Sequence, residues 1–88
     1  MHAVVFEVDM KPEPTGDPDQ ELDGLVGFIK SLPGFVRGTW ATDGARGLSF
    51  LVFDSEETAR GLADSAFAPP DANVTFRSVV TYEVVRDV

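Results

Sequence analysis

Few side chains in this sequence are equipped for reaction chemistry. There is no cysteine and a single histidine, His2. Thiolate nucleophiles, disulfides, iron–sulfur clusters and cysteine-held zinc are therefore excluded, and most other transition-metal arrangements fall with them. His2 opens a strand-like run and reads as a strand-end side chain; without an orienting partner it supports no Ser-His-Asp triad. No glycine loop of the phosphate-cradling kind occurs. Asp54, Glu56 and Glu57 stand where a helix should start, so capping and the helix dipole account for them. The acidic stretch from Glu13 to Asp23 lacks the ligand order and central glycine of a calcium loop and reads as a solvated face. No metal or cofactor is expected, and no residue is singled out as catalytic.

What remains are a few aromatic and charged strand residues that either pack or line a cavity. Trp40 offers a large apolar area and one N–H, and either fills a core between sheets or lines a cavity there. Tyr82, the only tyrosine, could hydrogen-bond a phenolic or quinone oxygen or sit half-buried with its hydroxyl in water. Glu7 and Arg77, if they meet across adjacent strands, form either an ion pair or the polar end of a ligand pocket. Arg37 has the opposite strand parity from Trp40, so the two should face different sides. Asn73-Val74-Thr75 has the form of a glycosylation acceptor, but no secretory leader is read to bring it to the enzyme.

The elements that must position these residues follow from pattern. Residues 2–10 alternate Val4, Phe6, Val8 and Met10 against Val5, Glu7 and Asp9, a first strand. After a proline-rich loop, Asp17, Pro18 and Gln20 supply an N-cap, an N1 proline and an N3 partner. From Pro18, Leu22, Leu25, Val26, Ile29 and Leu32 trace an apolar helical stripe that Pro33-Gly34 ends. Gly24 and Gly27 weaken this helix by roughly 1 kcal/mol each relative to Ala, so packing must hold it or the glycines must admit a close neighbour. Residues 35–42 and 46–53 read as a hairpin around Asp43-Gly44-Ala45. Asp54 with Glu57 forms a second capping box, Ser55 being the alternative cap, and Ala59, Leu62, Ala63 and Ala66 mark a second helix over about 56–67. Residues 73–86 return to strand composition, with Phe76, Val80, Tyr82 and Val84 alternating against Arg77, Val79, Thr81 and Glu83.

With 88 residues there is room for one domain, 1–88. The βαββαβ order predicts an α+β, ferredoxin-like fold: a four-stranded antiparallel sheet with two helices on one face. Both strand parities carry apolar groups, Val5, Leu51, Phe53, Val79 and Val85 against Val4, Phe6, Phe50, Val52, Val80 and Val84, while the chain supplies helices for one face only. A homodimer that stacks the uncovered faces is the economical solution. The net charge of -8 repels phosphate and demotes nucleic acid and anionic lipid as partners. No apolar run approaches the ~18–20 residues that span a bilayer, so no membrane is expected and the cytoplasm is the default location.

The runs LPGFVRGTWATDG and RGLSFLVFDSEETARGLADSAF carry a resemblance. A Pro33-Gly34-Phe35 step leads into the second strand, a hairpin follows, and an aromatic-rich third strand ends in an acidic helix start. A long last strand completes the pattern, which spans roughly residues 2–86. It resembles the dimeric α/β-barrel superfamily that includes the antibiotic-biosynthesis-monooxygenase-like proteins. The resemblance implies a dimeric barrel in which a small aromatic molecule is bound or oxidised without cofactor. The alternative is a non-catalytic structural or interaction module that only dimerises. Haem-degrading members place an Asn on the first strand with a His and a Trp around the porphyrin. This chain has no Asn there, its only one being Asn73, so the resemblance does not extend to haem.

Overall fold

The structure, a computed structural model, describes residues 1–13, 15–66 and 72–88. The elements are β1 (His2–Met10), α1 (Pro18–Lys30), β2 (Phe35–Thr42), β3 (Arg46–Phe53), α2 (Glu56–Ser65) and β4 (Val74–Glu83). The strands form one antiparallel sheet in the order β2-β3-β1-β4. This is the ferredoxin-like fold, with the most apolar strands, β1 and β3, at its centre.

Register sorts the apolar residues between the two faces. Val4 lies opposite Leu51 and His2 opposite Phe53, and Val4, Phe6, Leu51 and Phe53 pack with Ile29 of α1 and Ala59 of α2. The helix-covered face is thus Val4, Phe6, Leu51 and Phe53. Ala3, Val5, Phe50, Val52, Val80 and Tyr82 belong to the helix-free face.

Two bulges break the parity expected from sequence. On β4, Glu7 pairs with Ser78 and Val8 with Phe76, leaving Arg77 as an extra residue. Phe76 therefore joins the helix side, 5.6 Å from the Phe6 ring, instead of sharing a face with Val80 and Tyr82. On β2, Phe35 pairs with Phe53 and Arg37 with Val52, so Val36 is the extra residue. A bulge re-aims the side chains beyond it, which strict alternation cannot anticipate.

The termini of the elements also differ in detail from expectation. Asp17 caps α1 by accepting from the N–H groups of Asp19 and Gln20. At α2 the cap is Ser55, whose hydroxyl accepts from Thr58 N–H, and not Asp54. Asp54 is held by the turn before β2: its N–H donates to Gly34 O at 2.8 Å, and a Cβ on Gly34, φ +78°, would strike its carboxylate. α2 ends at Ser65 with Ala66 extended; the expected last residue, Phe67, lies outside the described residues. β4 stops at Glu83 rather than continuing to residue 86.

Candidate functional site

Trp40 sits on β2 opposite Ser49 and two residues from Gly38, which faces Leu51. That register turns the indole to the helix side, and Trp40 packs against the helix-side core, away from the face a second sheet would meet. The position depends on Gly38. A Cβ there would lie 2.8 Å from the indole ring and 3.0 Å from Leu51 Cδ2, so only glycine leaves the ring its place. The indole Nε1–H is shut off from solvent and finds no acceptor among the described residues. A buried donor left in this state costs about 1–3 kcal/mol.

The helix above β2 is α1, and its cover is incomplete. Its backbone comes near β2 alone among the strands, and Ile29 reaches past it to the central ones. Of its apolar stripe only Ile29 is buried; Leu22 and Leu25 are 41% and 46% exposed. Nothing lies within 4 Å of a Cβ built on Gly24 or Gly27, so these glycines admit no close neighbour and only cost helix stability. The first turn is tethered: Glu21 accepts from Asn73 N–H at 3.3 Å and from Asn73 Nδ2 at 3.1 Å. Asn73 also exchanges bonds with Thr15, accepting its N–H at 2.7 Å and donating to its carbonyl at 2.9 Å. Its side chain is buried and fully engaged. α1 is therefore pinned near both ends, with its middle, Leu22 to Val26, only loosely seated.

The helix-free face presents a different set. Phe50 and Tyr82 are 38% and 53% exposed there. Tyr82 pairs with Ala3 on β1 and Glu7 with Ser78, which puts them about 13 Å apart along the sheet. Glu7 accepts from Ser78 Oγ at 2.9 Å, while Arg77 reaches Asp9 at 3.2 Å. Glu7 and Arg77 thus do not pair. They do share the wall of a shallow, open depression of about 320 Å³ with Thr42, Asp43, Arg46 and Leu48. Backbone N–H bonds from Arg46 and Ala45 hold the Asp43 carboxyl below its usual range. A second open depression, about 390 Å³, lies beside Asn73 and the start of α1. Neither contains Trp40 or Tyr82. The four residues singled out from sequence therefore fall in three places: Trp40 on the helix side of β2, Glu7 with Arg77 near the hairpin, and Tyr82 at the far end of the open face.

His2 Nε2 lies 3.3 Å from Glu56 at the start of α2. Among the described residues no cluster of His, Asp and Glu could hold a metal ion, and no helix is long and apolar enough to cross a membrane. The orphaned Trp40 N–H and the half-open α1 above it are the features that sequence reasoning missed. Their only sequence signal is the pair Gly24 and Gly27 in an otherwise amphipathic helix.

No family model matches the chain, and no curated protein is similar to it. Solved structures do share its fold. The C-terminal RRM domain of MEC-8, bound to AGCACA, is 16% identical with a TM-score of 0.57, covering 99% of this chain and 95% of that one. The haem degrader MhuD from Mycobacterium tuberculosis, with two haems in its active site, is 22% identical with a TM-score of 0.53, covering 97% of this chain and 98% of that one. At these identities the likeness carries the ferredoxin-like fold and nothing finer.

Proposed function

We propose that this chain is a homodimeric α/β-barrel protein that binds a small apolar or aromatic molecule between the middle of α1 and the sheet. The buried Trp40 Nε1–H without an acceptor is the observation that carries this reading. A ligand bearing a carbonyl or phenolic oxygen would satisfy that donor, and Leu22 and Leu25 would close over its apolar body. An unpartnered donor is a feature of binding, so the reading is binding; oxidation without cofactor would be a further step on the same bound molecule. Haem fits poorly: the only His is held by Glu56, near the opposite end of β1 from the hairpin.

Charge supports pairing through the helix-free face. The helices carry Asp19, Glu21, Asp23, Glu56, Glu57 and Asp64 against Lys30 and Arg60. On the open face Glu7 and Asp9 are balanced by Arg46 and Arg77, and Asp87 is paired with Arg37. Sheet-to-sheet stacking thus buries a neutral, partly apolar face, with Phe50, Val80 and Tyr82 exposed on it, and leaves the acidic layers outward.

A single-stranded nucleic acid is the rival occupant of that face. β3 reads Arg46-Gly47-Leu48-Ser49-Phe50-Leu51-Val52-Phe53, which shares the basic-glycine start and the phenylalanine in fifth and eighth place with the RNP1 pattern. It lacks the third-place aromatic. The electrostatic term that dominates such binding is missing too, because the arginines of this face stand beside carboxylates and the chain carries -8.

Sedimentation across a dilution series should show a monomer–dimer equilibrium. Calorimetric titration with a panel of naphthols and naphthoquinones should give saturable binding that Trp40→Phe weakens by roughly fivefold, the equivalent of one lost hydrogen bond of about 1 kcal/mol. A monomer at every concentration sinks the pairing. Equal affinity of wild type and variant, or no binding to any of the panel, sinks the site. Saturable binding of a short single-stranded RNA at low salt would hand the open face to nucleic acid.

A further inference from the structure

Two residues of the helix-free face contradict its openness. Ala3 and Val52 are completely buried, although Phe50, Val80 and Tyr82 on the same face are exposed. No helix lies on this side, so something else covers them. The chain after β4 is placed to do so. Val84 N–H still donates to Met1 O at 2.9 Å, but Asp87 is ion-paired with Arg37 on β2, the opposite edge of the sheet. Three inter-strand spacings of ~4.8 Å separate β4 from β2. From Glu83 to Asp87 an extended chain covers at most roughly 14 Å. With the Arg37 and Asp87 side chains meeting part of the way, the chain reaches across β1 and β3, and Arg37 pairs with Val52, which pairs with Ala3.

We propose that residues 84–88 form a strap across one end of the open face, latched by Arg37 and Asp87, and that a second copy displaces it on docking. The strap is weakly held for what it covers. Val85 and Val88 point to solvent, at 76% and 120% exposure, and Arg37 is exposed to screening by salt. Segments with few buried contacts and an exposed latch open well below the free energy of global unfolding. The residues beneath are apolar and flat, as a second sheet face requires. The displacement half of this proposal rests on the homodimer reading; the strap itself does not.

The absence of native cysteine makes the test direct. Ala3→Cys places a unique thiol under the strap, and its labelling rate by a small disulfide reagent reads the cover. At concentrations where the protein is monomeric, adding Asp87→Asn should raise that rate about threefold, as expected when a local opening no longer has to break an exposed ion pair. Deleting residues 84–88 should set the upper limit, and Arg37→Gln should match Asp87→Asn. Unchanged labelling in all three variants overturns the strap. Raising the concentration of the deleted variant until it dimerises should restore protection; a dimer that leaves Cys at position 3 fully reactive overturns displacement. A variant that never dimerises refutes the homodimer reading while leaving the monomer result intact.

Discussion

α2 and α1 lie on the same side of one sheet, yet the backbone of α2 comes near β1, β3 and β4 while that of α1 comes near β2 alone. The difference starts in side-chain size. α2 presents Ala59 and Ala63 with a single Leu62 to the sheet, and Ala66 just past its end packs there too; alanines let a helix sit low over the two central strands. α1 carries larger residues on its stripe and sits over an edge strand whose surface is occupied by the Trp40 indole. Its small residues, Gly24 and Gly27, point where nothing needs to come close. A close-packed helix and a loosely seated one thus share one layer, and the proposed ligand site belongs under the loosely seated one.

The largest expected break in that contrast comes within α1 itself. Ile29→Ala should cost about 2–5 kcal/mol by urea denaturation, as for other fully buried aliphatic residues, whereas Leu25→Ala should fall within about 0.5 kcal/mol of wild type. Equal costs would mean that the middle of α1 is seated as firmly as its end. Asn73→Ala should cost about 1–3 kcal/mol, because it strips partners from Thr15 and the first turn of α1. Amide exchange should then accelerate in α1 and leave α2 unchanged.

Smaller effects sharpen the comparison. Gly24→Ala and Gly27→Ala should each stabilise the protein by about 0.5–1 kcal/mol, since neither methyl meets an obstacle. The double variant should also bind naphthol-like molecules more weakly if entry requires α1 to lift; unchanged affinity would show a preformed site. The smallest effect is on α2. The Arg60 side-chain hydrogen bond and charge, with a further contribution from His2, hold the Glu56 carboxyl below its usual range. A carboxyl whose folded pKa is depressed adds stability above its unfolded value and loses it as pH falls through the folded one. Below about pH 4.5, acid should therefore loosen the start of α2, and Glu56→Gln should remove that part of the pH dependence in exchange measurements.

Much of this architecture was legible because it follows from local pattern. The alternation of β1, the Asp17-Pro18 helix start and the Asp43-Gly44 turn each need only a few neighbouring residues. What escaped depends on partners distant in sequence. Phe76 changes face because β4 meets β1 out of step at Arg77, and no inspection of β4 alone reveals that. Asp54 gave up the cap of α2 to Ser55 because Gly34, far back in the chain, holds it. The candidate site was half legible. Trp40 stood out by type, but its orientation toward the helices came from the bulge at Val36, and its lack of an acceptor is a property of the packed layer. Of the two arrangements open to Glu7 and Arg77, an ion pair or a shared polar wall, the bulge at Arg77 removes the first by handing its guanidinium to Asp9.

The uneven distribution of charge also bears on how two molecules first meet. With the carboxylates concentrated on one layer and the opposite layer neutral, any collision that brings helices together climbs an electrostatic hill. One that brings sheet toward sheet climbs a lower one. In the proposed homodimer, orientation would then be selected during diffusion, before any side chain has touched another, and the rate of pairing should rise as salt flattens the hill.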